Sequence, residues 1–410
     1  MIQRNYWMQK IESLGRASPV LWLTGIRGTG KTSLCRMLPG AQYFDCDLPR
    51  WRKELNEPRS FLKSVEGKKI VLDEIHRLEN PLHFLSAAGD FPSVKIIATS
   101  PTDPPKNFPP EGPGTEKAAR LWLTPMMSQD LADFFGANLT RRFLRGGLPS
   151  FFARSKLEES SFQDWMDAFW AKDIQPLFRF TRRDPFQRFM ELLFARSGEL
   201  FEAVRYAEPC GVSRTTIAKY LGALEATWAV LVIRPFSTRR PVEIVSAPRT
   251  YVFDTGFLCH FRGWQELRGE DYPFLWKHWL LNEICCRLQA PSVRFWQDKR
   301  GHGVDFVIIS PERGILTLTG EWKAADFDSA NLQAFRYHYP DGPNWVVCGD
   351  AAGGYTHHFG KIKVEFMGLE EMARRLDPAP SSPPPSPPAP PEGITPPPAE
   401  SPSGGDNLLP

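Results

Sequence analysis

Gly25, Gly28 and Gly30, followed by Lys31 and Thr32, form the run GIRGTGKT over residues 25–32. Glycines let the backbone curl and aim N–H groups at an anion, and a helix beginning at Lys31 adds the positive end of its dipole. The spacing GxxxxGK[ST] is that of a loop that cradles nucleotide phosphates. In such a loop Gly25, Arg27, Gly28, Thr29, Gly30, Lys31, Thr32 and Ser33 surround the nucleotide. Lys31 pairs with the β- and γ-phosphates of ATP, and the Thr32 hydroxyl sits on Mg²⁺. A second run, KKIVLDEIHRL, ends an apolar stretch in Asp73 and Glu74. Asp73 is expected to hold the metal's water shell, and Glu74 to orient and deprotonate the attacking water. The competing reading is an acid pair that caps the next helix. VKIIATS ends in Thr99 and Ser100, where Ser100 is the candidate contact to the γ-phosphate and turn capping is the alternative.

A separate acidic constellation lies near the C-terminus: Glu283 in FLWKHWLLNEICCRLQ, Asp305 in VDFVIIS, and Glu321 with Lys323 after ILTLTG. Glu321 and Lys323 share a face of an extended strand, because side chains alternate with period two. Asp305 and Glu321 are hard oxygen ligands for a second divalent ion, with Lys323 placed to orient a hydrolytic water. Packing residues of a relic domain are the alternative.

These residues need elements to position them. Short apolar runs alternate with helical stretches through residues 1–136, which argues for a parallel sheet wrapped by helices. Residues 137–185 carry apolar and aromatic positions at helical spacing and read as a helical linker or lid. In EAVRYAEPCGVSRTTIAKYLGALEATWAVLVIRPF, Cys210 and Gly211 make a turn and Ser213 caps a helix that buries Ile217, Leu221 and Leu224. Helix, turn, helix and strand pair is winged-helix order, so residues 186–250 form the next unit. Its Arg214, Thr215, Thr216 and Lys219 face outward toward phosphates and base edges of double-stranded DNA. Arg234, Arg239 and Arg240 in RPFSTRRP suggest a basic wing gripping phosphates or a solvated loop. Mixed strands and helices follow over 251–372. From 373 to 410 a Pro-rich stretch lacks the apolar residues that repay ordering, and reads as a disordered tail.

The 410 residues suggest two or three folded units. The net charge of +3, from 50 basic and 47 acidic residues, is too balanced to mark a nucleic-acid binder by itself. Seven cysteines without CxxC spacing fit a reduced chain rather than a zinc site. No apolar run reaches signal-peptide or membrane-span length, so a cytoplasmic protein without a membrane partner is expected.

The segments LTGIRGTGKTSL, IVLDEIHRL, LWLTPM, VSRTTIAKYL, YVFDTG and GVDFVI, in that order, resemble AAA-type ATPases that carry a C-terminal domain of unknown function. The resemblance runs over nearly all of residues 1–349. It implies an α/β chain built of a P-loop NTPase parallel sheet, a helical winged-helix module and a mixed α/β domain similar to PD-(D/E)XK nucleases. Gln333 and Tyr337, four apart, resemble a QxxxY element of one nuclease branch. Where the family shows a glycine-arginine pair this chain has Glu116 and Lys117, so that either Arg120 substitutes as an arginine finger acting across self-associated copies or the chain has no arginine finger. The function expected is an ATPase coupling nucleotide state to DNA engagement. The alternative is a nucleotide-gated protein-interaction switch with an inactive C-terminal domain.

Overall fold

Runs of three or four consecutive apolar residues, such as residues 20–23 and 70–72, suit strands buried on both faces, and they become the core of the first sheet. In the computed structural model its strands are β1 (Val20–Thr24), β2 (Ala41–Asp45), β3 (Lys69–Asp73), β4 (Lys95–Ser100) and β5 (Ala119–Trp122). The described residues are 3–105, 108, 118–134, 138–236, 247–289, 293–310, 312–351 and 353–377. Glu116, Lys117, Arg239, Arg240 and the Pro-rich tail beyond 377 lie outside them.

All pairings in this sheet are parallel, in the order β2-β3-β4-β1-β5. Strand β4 therefore sits between the strand feeding the glycine loop and the strand ending in Asp73. Thr24 of β1 lies opposite Ser100 of β4, so the glycine loop, the acid pair and the Thr99–Ser100 step leave the sheet at one edge. That is the carboxyl-end crevice where open parallel sheets bind ligands.

Helices Leu139–Arg145, Pro149–Phe152 and Ser160–Phe169 follow. The last continues through a π turn, Trp170–Ile174, into Gln175–Phe178. Helices Arg183–Ala195, Val204–Ala207 and Arg214–Ala226 come next. Ser213 starts the last of these by accepting a 3.1 Å hydrogen bond from the Thr216 amide.

Strands β6 (Val230–Pro235) and β7 (Arg249–Val252) pair antiparallel. The remaining strands are β8 (Val293–Gln297), β9 (Gly303–Ser310), β10 (Gly314–Glu321), β11 (Asn344–Cys348), β12 (Tyr355–Phe359) and β13 (Ile362–Met367). β6 also pairs with β8, so the hairpin after the helix-turn-helix forms the edge of an eight-stranded sheet, ordered β12-β13-β11-β10-β9-β8-β6-β7. One apolar cluster runs from Ile26 through Trp165, Phe253 and Trp279 to Leu376. Contacts divide the chain only at Asp377. Among the described residues no helix is long and apolar enough to cross a membrane.

Candidate nucleotide site and the C-terminal acidic pair

The glycine loop is shaped by close approach. Gly25 has φ +148°, and a Cβ there would lie 2.3 Å from the Leu123 carbonyl oxygen, so no larger residue fits. Lys31 folds back over the loop, its Nζ donating to the carbonyls of Gly25 at 2.6 Å and Ile26 at 3.3 Å. Burial pushes its ammonium below the usual lysine range, against the pull of Glu74, Asp173 and Asp73. Thr29 turns its hydroxyl onto the Ile26 carbonyl at 2.9 Å and braces the loop. Behind it, buried Arg4 donates to the Thr29 carbonyl at 2.8 Å and forks onto Asp130 at 2.9 and 2.5 Å. Nothing in the sequence spacing signalled Arg4 or Asp130.

The acids form a connected set. The Thr32 hydroxyl donates to Asp73 Oδ2 at 2.7 Å, and Thr99 donates to Asp73 Oδ1 at 2.5 Å. Tyr43 also donates to Asp73. Glu74 adopts the left-handed region, φ 58° and ψ 46°, where residues other than glycine are uncommon. Its amide donates to Thr99 Oγ1 at 2.9 Å, which holds that conformation. Burial raises the Glu74 carboxyl to about 7, while Lys31 pulls the other way. Its Oε2 is buried without a hydrogen bond, although His76 Nδ1 lies 3.3 Å away out of hydrogen-bonding geometry. Burial and the Arg77 charge drop the His76 imidazole to about 3, so it is neutral at ordinary pH. Glu74 is therefore a strained, half-buried carboxylate with one buried, open acceptor oxygen at the sheet edge.

Two residues assigned to the nucleotide at this edge have partners within the chain. Ser100 caps the following turn, accepting from the Thr102 amide at 3.2 Å, and its neighbour Thr99 joins the acids instead. Arg27 forks onto Asp173 of the π turn at 2.6 and 3.0 Å. Arg120 is likewise engaged within its own chain, 2.8 Å from Asp103 and over the Trp228 ring.

The middle helices and the β6–β7 hairpin pack directly on the loop. Trp165 donates to the Arg27 carbonyl at 3.1 Å, and a Cβ on Gly28 would lie 3.2 Å from Leu148. Gly146, at φ +80°, passes so close to Asp254 that a Cβ would lie 1.8 Å from its Oδ1. Asp254 accepts from the Gly147 amide and pins this turn. Trp228 stacks on Trp122 at 3.9 Å and donates to Thr24 Oγ1 at 3.0 Å, one residue before the loop.

The C-terminal residues do not assemble as expected. Glu283 is fully buried, accepts from the Ser128 amide at the start of helix Ser128–Asp133, and lies 3.6 Å from Arg287. It neutralises a helix start on the first sheet's side rather than joining Asp305. Lys277, on the same helix Tyr272–Leu288, takes that place: its Nζ donates to Asp305 Oδ1 at 2.8 Å. The Gly320 amide donates to Asp305 Oδ2 at 3.2 Å. Burial raises Glu321 to about 7, Lys277 opposing and Asp305 adding to the shift. Lys323 is exposed. Tyr337 is 84% exposed, and Gln333 bonds to Ser329 within its own helix. Among the described residues no group of three His, Cys, Asp or Glu side chains is placed to hold a metal ion. Two carboxylates with an ammonium between helix and sheet suit an internal ion pair better than a divalent cation, whose charge Lys277 would oppose.

On helix Arg214–Ala226, Ile217, Tyr220 and Leu224 are buried. Arg214, Thr215 and Lys219 are exposed and Thr216 is half-buried.

Residues 17–122 match a family model described as an AAA domain, and residues 136–268 match one described as a domain of unknown function. The first of these spans holds the glycine loop and the parallel sheet, so this region is similar to an AAA-type P-loop domain. An uncharacterized protein of Mycobacterium tuberculosis is 25% identical over 325 residues, covering 75% of this chain and 71% of that one. An uncharacterized protein of Mycobacterium bovis matches with the same figures. Among solved structures, a Walker-type ATPase of Pyrococcus abyssi aligns with a TM-score of 0.42 at 14% identity, covering 64% of this chain and 96% of that one.

Proposed function

We propose that this chain binds and hydrolyses ATP at the Gly25–Thr32 loop, and that its nucleotide state governs how the helix-turn-helix segment engages double-stranded DNA. The observation that carries the catalytic part is the chain of contacts Thr32–Asp73–Thr99–Glu74 at the edge where Lys31 meets the loop. Lys31 leaves its carbonyl partners for the β- and γ-phosphate oxygens, which accept its protons better than neutral amides do. Asp73 and the Thr32 hydroxyl are hard oxygen donors that fit Mg²⁺, and the ion would supply phosphate charge neutralisation there. Thr99 holds Asp73 and the Glu74 backbone in register. Glu74, with Oε2 open, accepts the proton of the attacking water in its ionised form, which gains ground as pH rises through about 7.

The coupling part rests on Trp228, which bonds to Thr24 while heading the β6–β7 hairpin, directly after helix Arg214–Ala226. In this reading the C-terminal sheet does not cleave DNA, because Lys277 occupies the acid pair. It serves as a rigid platform for the hairpin. With Arg120 engaged in its own chain, an arginine for the γ-phosphate comes from another copy, which makes self-association part of the proposal.

ATP turnover and plasmid nicking, measured with and without duplex DNA for wild type and Lys31→Ala, test this. DNA-stimulated turnover that Lys31→Ala abolishes, without nicking, is the expected result. Nicking that survives Lys31→Ala but is lost in Asp305→Asn would restore the nuclease reading. Turnover indifferent to DNA would remove the coupling.

A further inference from the structure

A group of cations without acid partners gathers beside the helix-turn-helix. Residues 178–183 (FRFTRR) join helix Gln175–Phe178 to helix Arg183–Ala195 beside the turn that precedes helix Arg214–Ala226. Two grooves share Thr181 and Arg182 there, with volumes of about 610 and 690 Å³. The first is lined by Arg179, Arg182 and Lys219 together with the hydroxyl residues Ser213 and Thr216. The second adds Arg183 and Arg188 beside Pro209 and Cys210. Arg183 is tied to Asp167, and Arg188 lies 3.9 Å from Glu191. Among the described residues no carboxylate lies within ion-pairing distance of Arg179, Arg182, Arg214 or Lys219, all of them exposed. In a chain of net charge only +3, three unpaired cations lining one pair of grooves, Arg179, Arg182 and Lys219, against the single acid Asp184, mark an extended anionic partner rather than a single ion.

The same loop is wired to the nucleotide site. Arg179 directly follows the continuous helical rod Ser160–Phe178, and Asp173 in the π turn of that rod grips Arg27 of the glycine loop. Asp173 has a side chain only 1% exposed, so losing Arg27 to a phosphate would leave a buried carboxylate unpaired. The rod must then shift to hydrate it or bring it another partner.

We propose that the basic grooves between residues 179–183 and helix Arg214–Ala226 hold the sugar-phosphate backbone of double-stranded DNA, and that the Arg27–Asp173 pair ties their position to the nucleotide. This rests on the proposed DNA role of that helix. A duplex is the fitting partner because the grooves adjoin the first turn of the second helix of a helix-turn-helix, the part that enters a major groove while neighbouring residues hold phosphates.

Anisotropy titrations of a mixed-sequence duplex, at about 50 to 200 mM salt with and without a non-hydrolysable ATP analogue, separate the outcomes. Arg179→Ala/Arg182→Ala should weaken binding at least tenfold and lower the salt slope by about 1.8, since each phosphate contact contributes about 0.9. Its DNA-free ATP turnover should match wild type. Asp173→Asn should erase any difference in affinity between the nucleotide-bound and nucleotide-free states. If Arg214→Ala/Lys219→Ala weakens binding and Arg179→Ala/Arg182→Ala does not, the helix binds DNA and residues 179–183 do not, which overturns the groove. Absence of wild-type binding would sink the DNA reading itself, and this inference with it. Equal losses on a polyglutamate peptide would make the partner an acidic protein and overturn the duplex. A nucleotide effect that persists in Asp173→Asn would overturn the wiring.

Discussion

Glu74 and Glu321 are alike in almost every local respect. Each follows or ends an apolar strand, each is largely withdrawn from water, and burial raises each to about 7. What differs is the company. Glu74 stands in a backbone conformation held by Thr99, with one oxygen lacking a partner and a phosphate-binding loop opposite. Glu321 stands beside Asp305, whose charge Lys277 already meets at 2.8 Å. A perturbed carboxyl thus marks a candidate and nothing more; strain, an open acceptor and an unanswered task distinguish a working acid from a structural one.

The largest effect should separate the two regions outright. Glu74→Gln is expected to cut ATP turnover on the order of 10²- to 10⁴-fold with ATP affinity retained, as for loss of a general base. Asp305→Asn should leave turnover within about twofold, since nothing at the glycine loop touches it. Phosphate-release kinetics beside equilibrium nucleotide binding decide this, and an equal loss in both variants would break the contrast. Next in size is Lys277→Met. Removing the ammonium leaves Asp305 facing an apolar group and should cost about 1–3 kcal/mol in denaturant titration. Adding Mn²⁺ should raise the melting temperature of that variant and not of wild type, because only then do the two carboxylates want an outside cation. A wild-type response to Mn²⁺ in a chain already carrying Lys31→Ala would restore the metal site.

The sequence made the first region legible because its chemistry is contiguous. Eight residues fix the loop, and an apolar run ending in two acids fixes the strand beside it. The choice between Thr99 and Ser100 was not legible: adjacent strand residues face opposite ways, and only the position of β4 beside β3 shows that Thr99 meets Asp73. The second region is assembled from separate elements, and there rotation about a helix axis decides. Lys277 and Glu283 are six residues apart, about 240° around the helix, so they cannot both face the same sheet edge. Helical geometry alone states that conflict, but only the contact of Glu283 with Ser128 resolves it. Arg4–Asp130 and Arg27–Asp173 join residues more than a hundred positions apart, and nothing in their local surroundings announces either pair.

The smallest expected effect comes from titrating Glu74 itself. A carboxyl raised to about 7 is mostly protonated at pH 6 and cannot accept a proton from water. Turnover should therefore climb about tenfold per unit below pH 7 and level off above it, and Glu74→Gln should lack this limb. Stability should run the other way. The unfolded carboxyl titrates at its ordinary value of 4.5, so between there and about 7 the folded chain holds the extra proton. The stabilisation that this proton provides is complete below the unfolded value and is lost as pH rises through about 7. Subtracting the Glu74→Gln stability curve from that of wild type isolates this contribution from the other titrating groups. If the difference rises with pH over that window, Glu74 is held as a charged partner in an ion pair, and its contrast with Glu321 collapses.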